Sequence, residues 1–392
     1  MTRLPGLLVA AFAALAALPA AAVTIEAAVL RVDHETELPL SRLDLPPEDL
    51  GVAGARLATQ DNATTGRFMG ISFELTEHEV APEDAAAAVE EIVAGGTRFI
   101  VTLADAETTL AMAEAAGEEA VLVNAQAPDT RLRDADCRAN LFHTAPSRAM
   151  LADALAQFLV VKRWDKWLLI HGSHPPDRLM GEAYARAAKK FGAEVAERLV
   201  FEDTGGARRG DSSHVLVQKQ IPLFVQEAED HDIVVAADES EYFAGHLPYH
   251  TWEPRPVAGA AGLRPVSWHP GMEAYGGTQF QTRFEKLAGR PARERDFNAW
   301  MALRALGEAA IRTQSEEFAT LRDYMLSDAF ELAAFKGQPL TFRRWNNQLR
   351  QPVLLVHDKL LVSISPQEQF LHRRSRLDSL GLDEPESACA LD

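Results

Sequence analysis

Short apolar runs of strand length alternate with longer amphipathic stretches from residue 24 onward, and this alternation restricts the chain more than any other feature. Thr24–Arg31 reads as a buried strand, Asp33 to Asp49 as a charged, proline-bearing loop, and Leu50 to Ala63 as a helix. Gly70–Thr76 alternates as a strand, and Pro82-Glu83-Asp84 opens an alanine-rich helix that Gly95-Gly96 ends. Strand Arg98–Leu103, helix Ala106–Ala116 with Asp105 as its N-cap, and strand Ala120–Asn124 continue the order. The pattern restarts at Ser147, an N-cap, with helix Arg148–Arg163, strand Trp167–His171, helix Arg178–Phe191 and strand Glu194–Phe201. A helix over Val215–Ala228, kinked or shortened by Pro222, precedes strands Ile233–Ala237 and Pro256–Gly259. Helices Thr278–Ala288 and Arg295–Thr313 follow, then a strand pair around Pro339–Phe342 and Pro352–Val362. The fold class expected is α/β, with two parallel sheets wrapped by crossover helices.

A chain of 392 residues exceeds what one core usually supports, which agrees with two lobes. Its start reads as an export leader over residues 1–22: Arg3, an apolar stretch from Leu4 to Leu18, then Pro19-Ala20-Ala21-Ala22. A membrane anchor is the competing reading, but Pro5 and Pro19 bracket only about a dozen apolar residues, against the ~18–20 of a spanning helix. With no cysteine beside the cleavage site to carry a lipid, a diffusible periplasmic product is expected. The net charge of −18 disfavours nucleic acid and anionic membrane as partners and favours cationic ligands or none in particular. Cys137 and Cys389 suit an oxidising compartment, where they either form one bridge or remain two thiols.

The chain contains no G-x-S-x-G elbow, H-E-x-x-H helix, P-loop or G-x-G-x-x-G turn, so neither an enzyme nor a cofactor is expected. Two histidine clusters remain. Pro248 between His246 and His250 argues against a helical i, i+4 metal pair. His171 and His174 fall where a strand ends, the place at which open α/β sheets hold ligands. With Asp177 they offer an alternative reading as a metal-binding cluster, and solvated or packed loop residues are the simpler one.

The run Leu57 to Glu74 (LATQDNATTGRFMGISFE) resembles the first helix and second strand of type I periplasmic solute-binding proteins of the branched-chain amino-acid-binding family. Ala85–Val123 and Asn140–Ala193, with the lobe-entry run Leu141-Phe142-His143-Thr144-Ala145-Pro146, are similar to the same family. Ser267–Arg312, Phe342–His357 and the C-terminal stretch through Cys389 resemble the branch associated with pyrroloquinoline-quinone (PQQ)-dependent alcohol dehydrogenase systems. The resemblance implies two Rossmann-like lobes joined by a three-crossover hinge. Lobe I is expected over residues 23–143 and 270–328, lobe II over 144–269 and 329–370, and a tail over 371–392. It implies a monomer that catches a small ligand between its lobes and presents it to an ABC permease. Because both cysteines fall in or beside matched stretches, it also implies a Cys137–Cys389 disulfide.

The cleft candidates are Asp105, Gln126 and Asp129 in the first lobe and His174, Asp177, Asp238, Glu239 and Tyr242 in the second. The hydroxyl-rich grip that amino-acid-binding relatives use is missing from Leu103–Thr108 and Asn124–Thr130. Asp105 facing the cleft would repel a carboxylate, although its N-cap position gives it a helix-capping role instead. Acids from both lobes suit a polyamine or a hard cation such as calcium or a lanthanide. Tyr242, Trp252 and Trp268 are read either as stacking groups for an organic ligand or as core. A carrier and a ligand-sensing receptor subunit share this fold, and the sequence does not separate them.

Overall fold

The computed structural model describes residues 23–34, 45–203 and 213–391; the leader read at 1–22 and part of the loop read at 33–49 lie outside them. The first lobe is built on strands β1 (Val23–Val32), β2 (Ile71–Val80), β3 (Phe99–Leu103), β4 (Val121–Asn124) and β5 (Leu141–His143), all parallel, in the order β2-β1-β3-β4-β5. Alternate residues of β1 enter different cores. Ile25, Ala27 and Val29 pack on one side, and Ala28, Leu30 and Val32 on the other. A strand covered on both faces reads as a continuous apolar run, which is why this one is recognisable in the sequence.

Helices α2 (Ala85–Ala94) and α3 (Ala106–Ala116) cover one face of that sheet; α1 (Val52–Met69) and α9 (Glu294–Thr313) belong to the other core. The second lobe contains α4 (Arg148–Val161), β6 (Lys166–Gly172), α5 (Pro175–Phe191), β7 (Glu194–Phe201), α6 (Ser213–Phe224), β8 (Ile233–Ala237), the one-turn α7 (Leu247–His250) and β9 (Val257–Gly259). Its parallel sheet runs β7-β6-β8-β9. The chain then returns through β10 (Arg264–Val266), α8 (Gly277–Ala288), α9 and α10 (Phe318–Met325), and ends in β11 (Val353–His357) and β12 (Leu360–Ser365). These last two strands join β10 in an antiparallel sheet. Strand β11 serves both lobes by its two-residue period: Leu354 and Val356 enter the first core, Val353 and Leu355 the second.

Several elements depart from the sequence reading. Helix α1 runs to Met69 rather than ending at Ala63, because its polar second half is held by α9: Asn62 donates to the Leu303 carbonyl at 2.8 Å and Trp300 Nε1 to Asp61 at 2.9 Å. The pair expected at Pro339–Phe342 is reduced to isolated bridges, Leu332–Leu340 and Phe342–Leu349, while Pro352–Val362 divides into the β11–β12 hairpin. Pro248 occupies the start of α7, where the missing N–H breaks no helical bond, so the argument against a helical turn there fails.

The α1–α9 contact is closest at Gly54, where an added Cβ would lie 1.8 Å from the Asp296 carbonyl oxygen. Gly54→Ala should therefore lower the unfolding free energy by about 1–3 kcal/mol, read from the urea midpoint of the leaderless chain.

Candidate ligand-binding cleft

All strands of a parallel sheet end at the same edge, so each lobe gathers its strand-end loops on one side. Arg148 shows that the two edges meet. It opens α4, directly after the Ser147 N-cap, and only 7 % of its side chain is accessible. Its Nη1 lies 3.0 Å from Asp129 of the first lobe, while Nε and Nη2 each reach a Glu239 carboxylate oxygen at 2.7 Å beyond β8 of the second. Burial opposes the charge of Arg148, but the two carboxylates outweigh it and hold the guanidinium pKa above its ordinary value.

The remaining second-lobe acids are engaged in shaping their own loop. Asp177 is fully buried and accepts from the Ser240 N–H at 2.9 Å and the Ser240 hydroxyl at 2.6 Å. Asp238 accepts three backbone N–H bonds, from Tyr242, Phe243 and Ala244, at 2.7–2.9 Å. Burial pushes the Asp238 pKa up, and these N–H groups oppose it. His174 stands at the N-cap of α5 with Nε2 3.0 Å from Asp203. In the first lobe, Asp105 caps α3 by accepting from Thr108 N–H at 2.8 Å and is about half exposed beside His34. Half-buried Gln126 donates its backbone N–H to Asn124.

Of the two roles read for Tyr242 and Trp268, their burial supports core packing. Tyr242 is 5 % accessible and packs on Phe201, and Trp268 stacks on Phe297 at 4.2 Å between ring centroids. Trp252 is exposed. Among the described residues, no group of three or more His, Cys, Asp or Glu side chains is placed to hold a metal ion, so His171, His174 and Asp177 do not converge as a ligand set.

Sequence reasoning passed over Arg295. It lies in the first turn of α9, where a cation opposes the helix dipole. It keeps solvent access, yet enough protein surrounds it that burial lowers its pKa against the pull of Glu294 and of Glu241, which belongs to the second lobe. Among the described residues none is placed to hydrogen-bond or ion-pair with its guanidinium, although Glu294, Glu241 and Asp296 act on it electrostatically. Arg148 is also a cation in a first turn, and that anomaly was the available signal for both.

The crossovers that join the lobes are tied by buried polar bonds. Gln348 donates to the His143 and Ala145 carbonyls at 3.2 Å, Gln351 to the Thr144 carbonyl at 2.6 Å, and Arg133 to Gln348 and Ala145 at 2.8 Å. Buried Lys336 donates to Gln351 and to the Pro352 carbonyl, and desolvation lowers its pKa to about 7.

Two α/β lobes built on parallel sheets are shared with solved solute-binding proteins. The chain has the type I periplasmic-binding-protein fold. Residues 48–207 match the model of the periplasmic binding protein family. The binding-protein fold is shared with the leucine-, isoleucine-, valine-, threonine- and alanine-binding protein from Brucella ovis in its closed conformation, at 15 % identity, covering 94 % of this chain and 99 % of that one, with a TM-score of 0.69. A branched-chain amino-acid ABC transporter periplasmic ligand-binding protein from Burkholderia xenovorans is similar at 15 % identity, with the same coverage and a TM-score of 0.72. A solute-binding protein of an ABC transporter from R. palustris, solved with benzoate, is similar at 14 % identity, 94 % and 100 % coverage and a TM-score of 0.66. No curated protein is close enough in sequence to match.

Removing the guanidinium in Arg148→Met leaves Glu239 and Asp129 unpaired, and should destabilise the protein by about 3 kcal/mol in chemical denaturation; adding Glu239→Gln should recover part of the loss. Lys336 gives a separate test. The unfolded chain holds that lysine's proton up to ordinary lysine values, whereas the folded chain releases it near pH 7. Between these limits the unfolded state binds more protons, so the lysine's contribution to stability rises with pH. In Lys336→Met, melting temperature against pH should lose that rise.

Proposed function

We propose that this chain is the solute-binding component of an ABC import system, working in the periplasm after removal of its leader, and that its ligand is a small molecule bearing an anionic group. The observation that carries the ligand class is the charge pattern of the cleft. Its acids already have protein partners: Arg148 for Asp129 and Glu239, backbone N–H groups for Asp238, Ser240 for Asp177 and the α3 N-terminus for Asp105. The guanidinium of Arg295, which feels the charge of Glu241 from the other lobe, is a cation without a hydrogen-bond or ion-pair partner among the described residues. A ligand spanning Arg295 and the β8 loop would contact both lobes, which is what closure requires, since only a ligand that binds the closed form better drives it.

Two observations support a carboxylate. The structurally similar proteins named above bind amino acids or benzoate, all of which carry one. The likeness of Ser267–Arg312 and Phe342–His357 to the PQQ-dependent alcohol dehydrogenase branch also fits, since carboxylates are end products of alcohol oxidation. Among the described residues no helix is long and apolar enough to cross a membrane.

Thermal-shift titration of the leaderless protein tests the reading, with benzoate, hexanoate, leucine, spermidine, calcium and lanthanum as probes. A carboxylate should stabilise by about 2.7 kcal/mol at a hundredfold excess over its Kd. Arg295→Gln should weaken that binding about tenfold or more without changing the melting temperature of the free protein. Stabilisation by spermidine or the metal ions alone would refute the anionic reading and restore a cation or metal carrier.

A further inference from the structure

The C-terminal segment is bonded to both lobes at once. On the second lobe, the Gly381 N–H donates to Asp153 of α4 at 2.9 Å, and the α5 side chain Lys190 donates to the Gly381 carbonyl and to Glu386, each at 2.9 Å. Gln157 of α4 donates to the Ser379 carbonyl, and Leu380 is completely buried in that lobe's core. On the first lobe, Cys389 is disulfide-bonded to Cys137 in the β4–β5 connection. The Ser387 hydroxyl donates to the Arg133 carbonyl at 3.1 Å, and the Ala388 N–H to Asp134. At the start of the tail, Arg343 and Arg350 both bond Asp378, and Arg343 also reaches the Leu380 carbonyl at 2.7 Å.

Little slack separates the attachments. Fully extended chain between Glu386 and Cys389 spans at most roughly 10 Å. A rotation that carried the β4–β5 connection away from α5 would have to break the Lys190 grip or stop at the disulfide.

We propose that this tail is a strap that limits how far the two lobes open in the ligand-free protein. One end is covalent, at Cys137, and the other is polar, at buried Asp153 and half-buried Lys190. The proposal rests on the reading that the lobes open and close, but does not depend on which ligand is carried. Burial raises the Asp153 pKa, and Arg186 and Lys190 oppose that shift, so the lobe II end depends on cations as well as on the tail's backbone.

Single-molecule energy transfer tests it. Donor and acceptor dyes are attached through p-azidophenylalanine at Phe68 and Leu223, exposed residues of the first and second lobes, leaving both cysteines untouched. Ligand-free wild type is compared with Cys389→Ser, with Lys190→Met, and with a form carrying Gly-Ser-Gly-Ser inserted between Glu386 and Ser387. The insertion keeps both grips and only lengthens the strap, so it decides the matter if a substituted form fails to fold. All folded variants should populate longer interlobe distances than wild type. Distributions that coincide with wild type, or that change in Cys389→Ser but in neither Lys190→Met nor the insertion, would overturn the strap. Addition of benzoate or hexanoate is a separate arm. A response to those carboxylates without a response to the strap variants refutes the strap and leaves the carrier reading standing. A response to the variants with none to either carboxylate supports the strap and counts against the anionic-ligand reading.

Discussion

The contact on which the arrangement of the cleft depends is the guanidinium of Arg148, held between Asp129 of one lobe and Glu239 of the other. Buried ion pairs add little net stability, because desolvation offsets most of the attraction, but losing one partner strands the others. Arg148 therefore acts mainly on geometry and charge. It fixes the distance between two strand-end loops and cancels acidic charge that would otherwise face a ligand.

That cancellation changes what the acidity of the chain means. A net charge of −18 and several acids near the strand ends suggest a cationic cargo when each residue is counted separately. Inside the fold, the same acids are hydrogen-bond acceptors for backbone N–H groups, a serine and an arginine. A buried carboxylate satisfied by several donors holds a loop in place and has little capacity left for a ligand. Arg295 is the reverse case, an accessible cation in the first turn of a helix with no bonded partner among the described residues.

The mechanical elements lie away from the cleft. The crossovers are joined by Gln348, Gln351 and Arg133, whose bonds go largely to backbone carbonyls, and β11 feeds one face into each core. In the proposed carrier, lobe closure would bend the few residues between these rigid bodies. The C-terminal segment crosses the same region and bonds to both sides.

Parallel strands buried on two faces, such as β3, β4, β6 and β8, were legible because a doubly covered strand must be apolar along its whole length. The caps at Asp105 and Ser147 were legible because an N-terminal oxygen acceptor has a local cause. Two α/β lobes and the pairing implied for Cys137 and Cys389 were thus within reach of the sequence and its resemblances. The polar second half of α1, the short β5 and β10, the division of residues 352–362 into a hairpin, and the choice between stacking and core roles for Tyr242 and Trp268 were not. Each depends on a partner far away in the chain: Leu303 and Trp300 for α1, Phe297 for Trp268, Arg148 for Asp129 and Glu239. The sequence by itself determined which segments are strands and helices and that they form two lobes, because those properties follow from local apolar period and capping. Only the tertiary structure decided which charges remain open to a ligand, because an ionic side chain is free or committed according to what the fold places within about 3 Å of it.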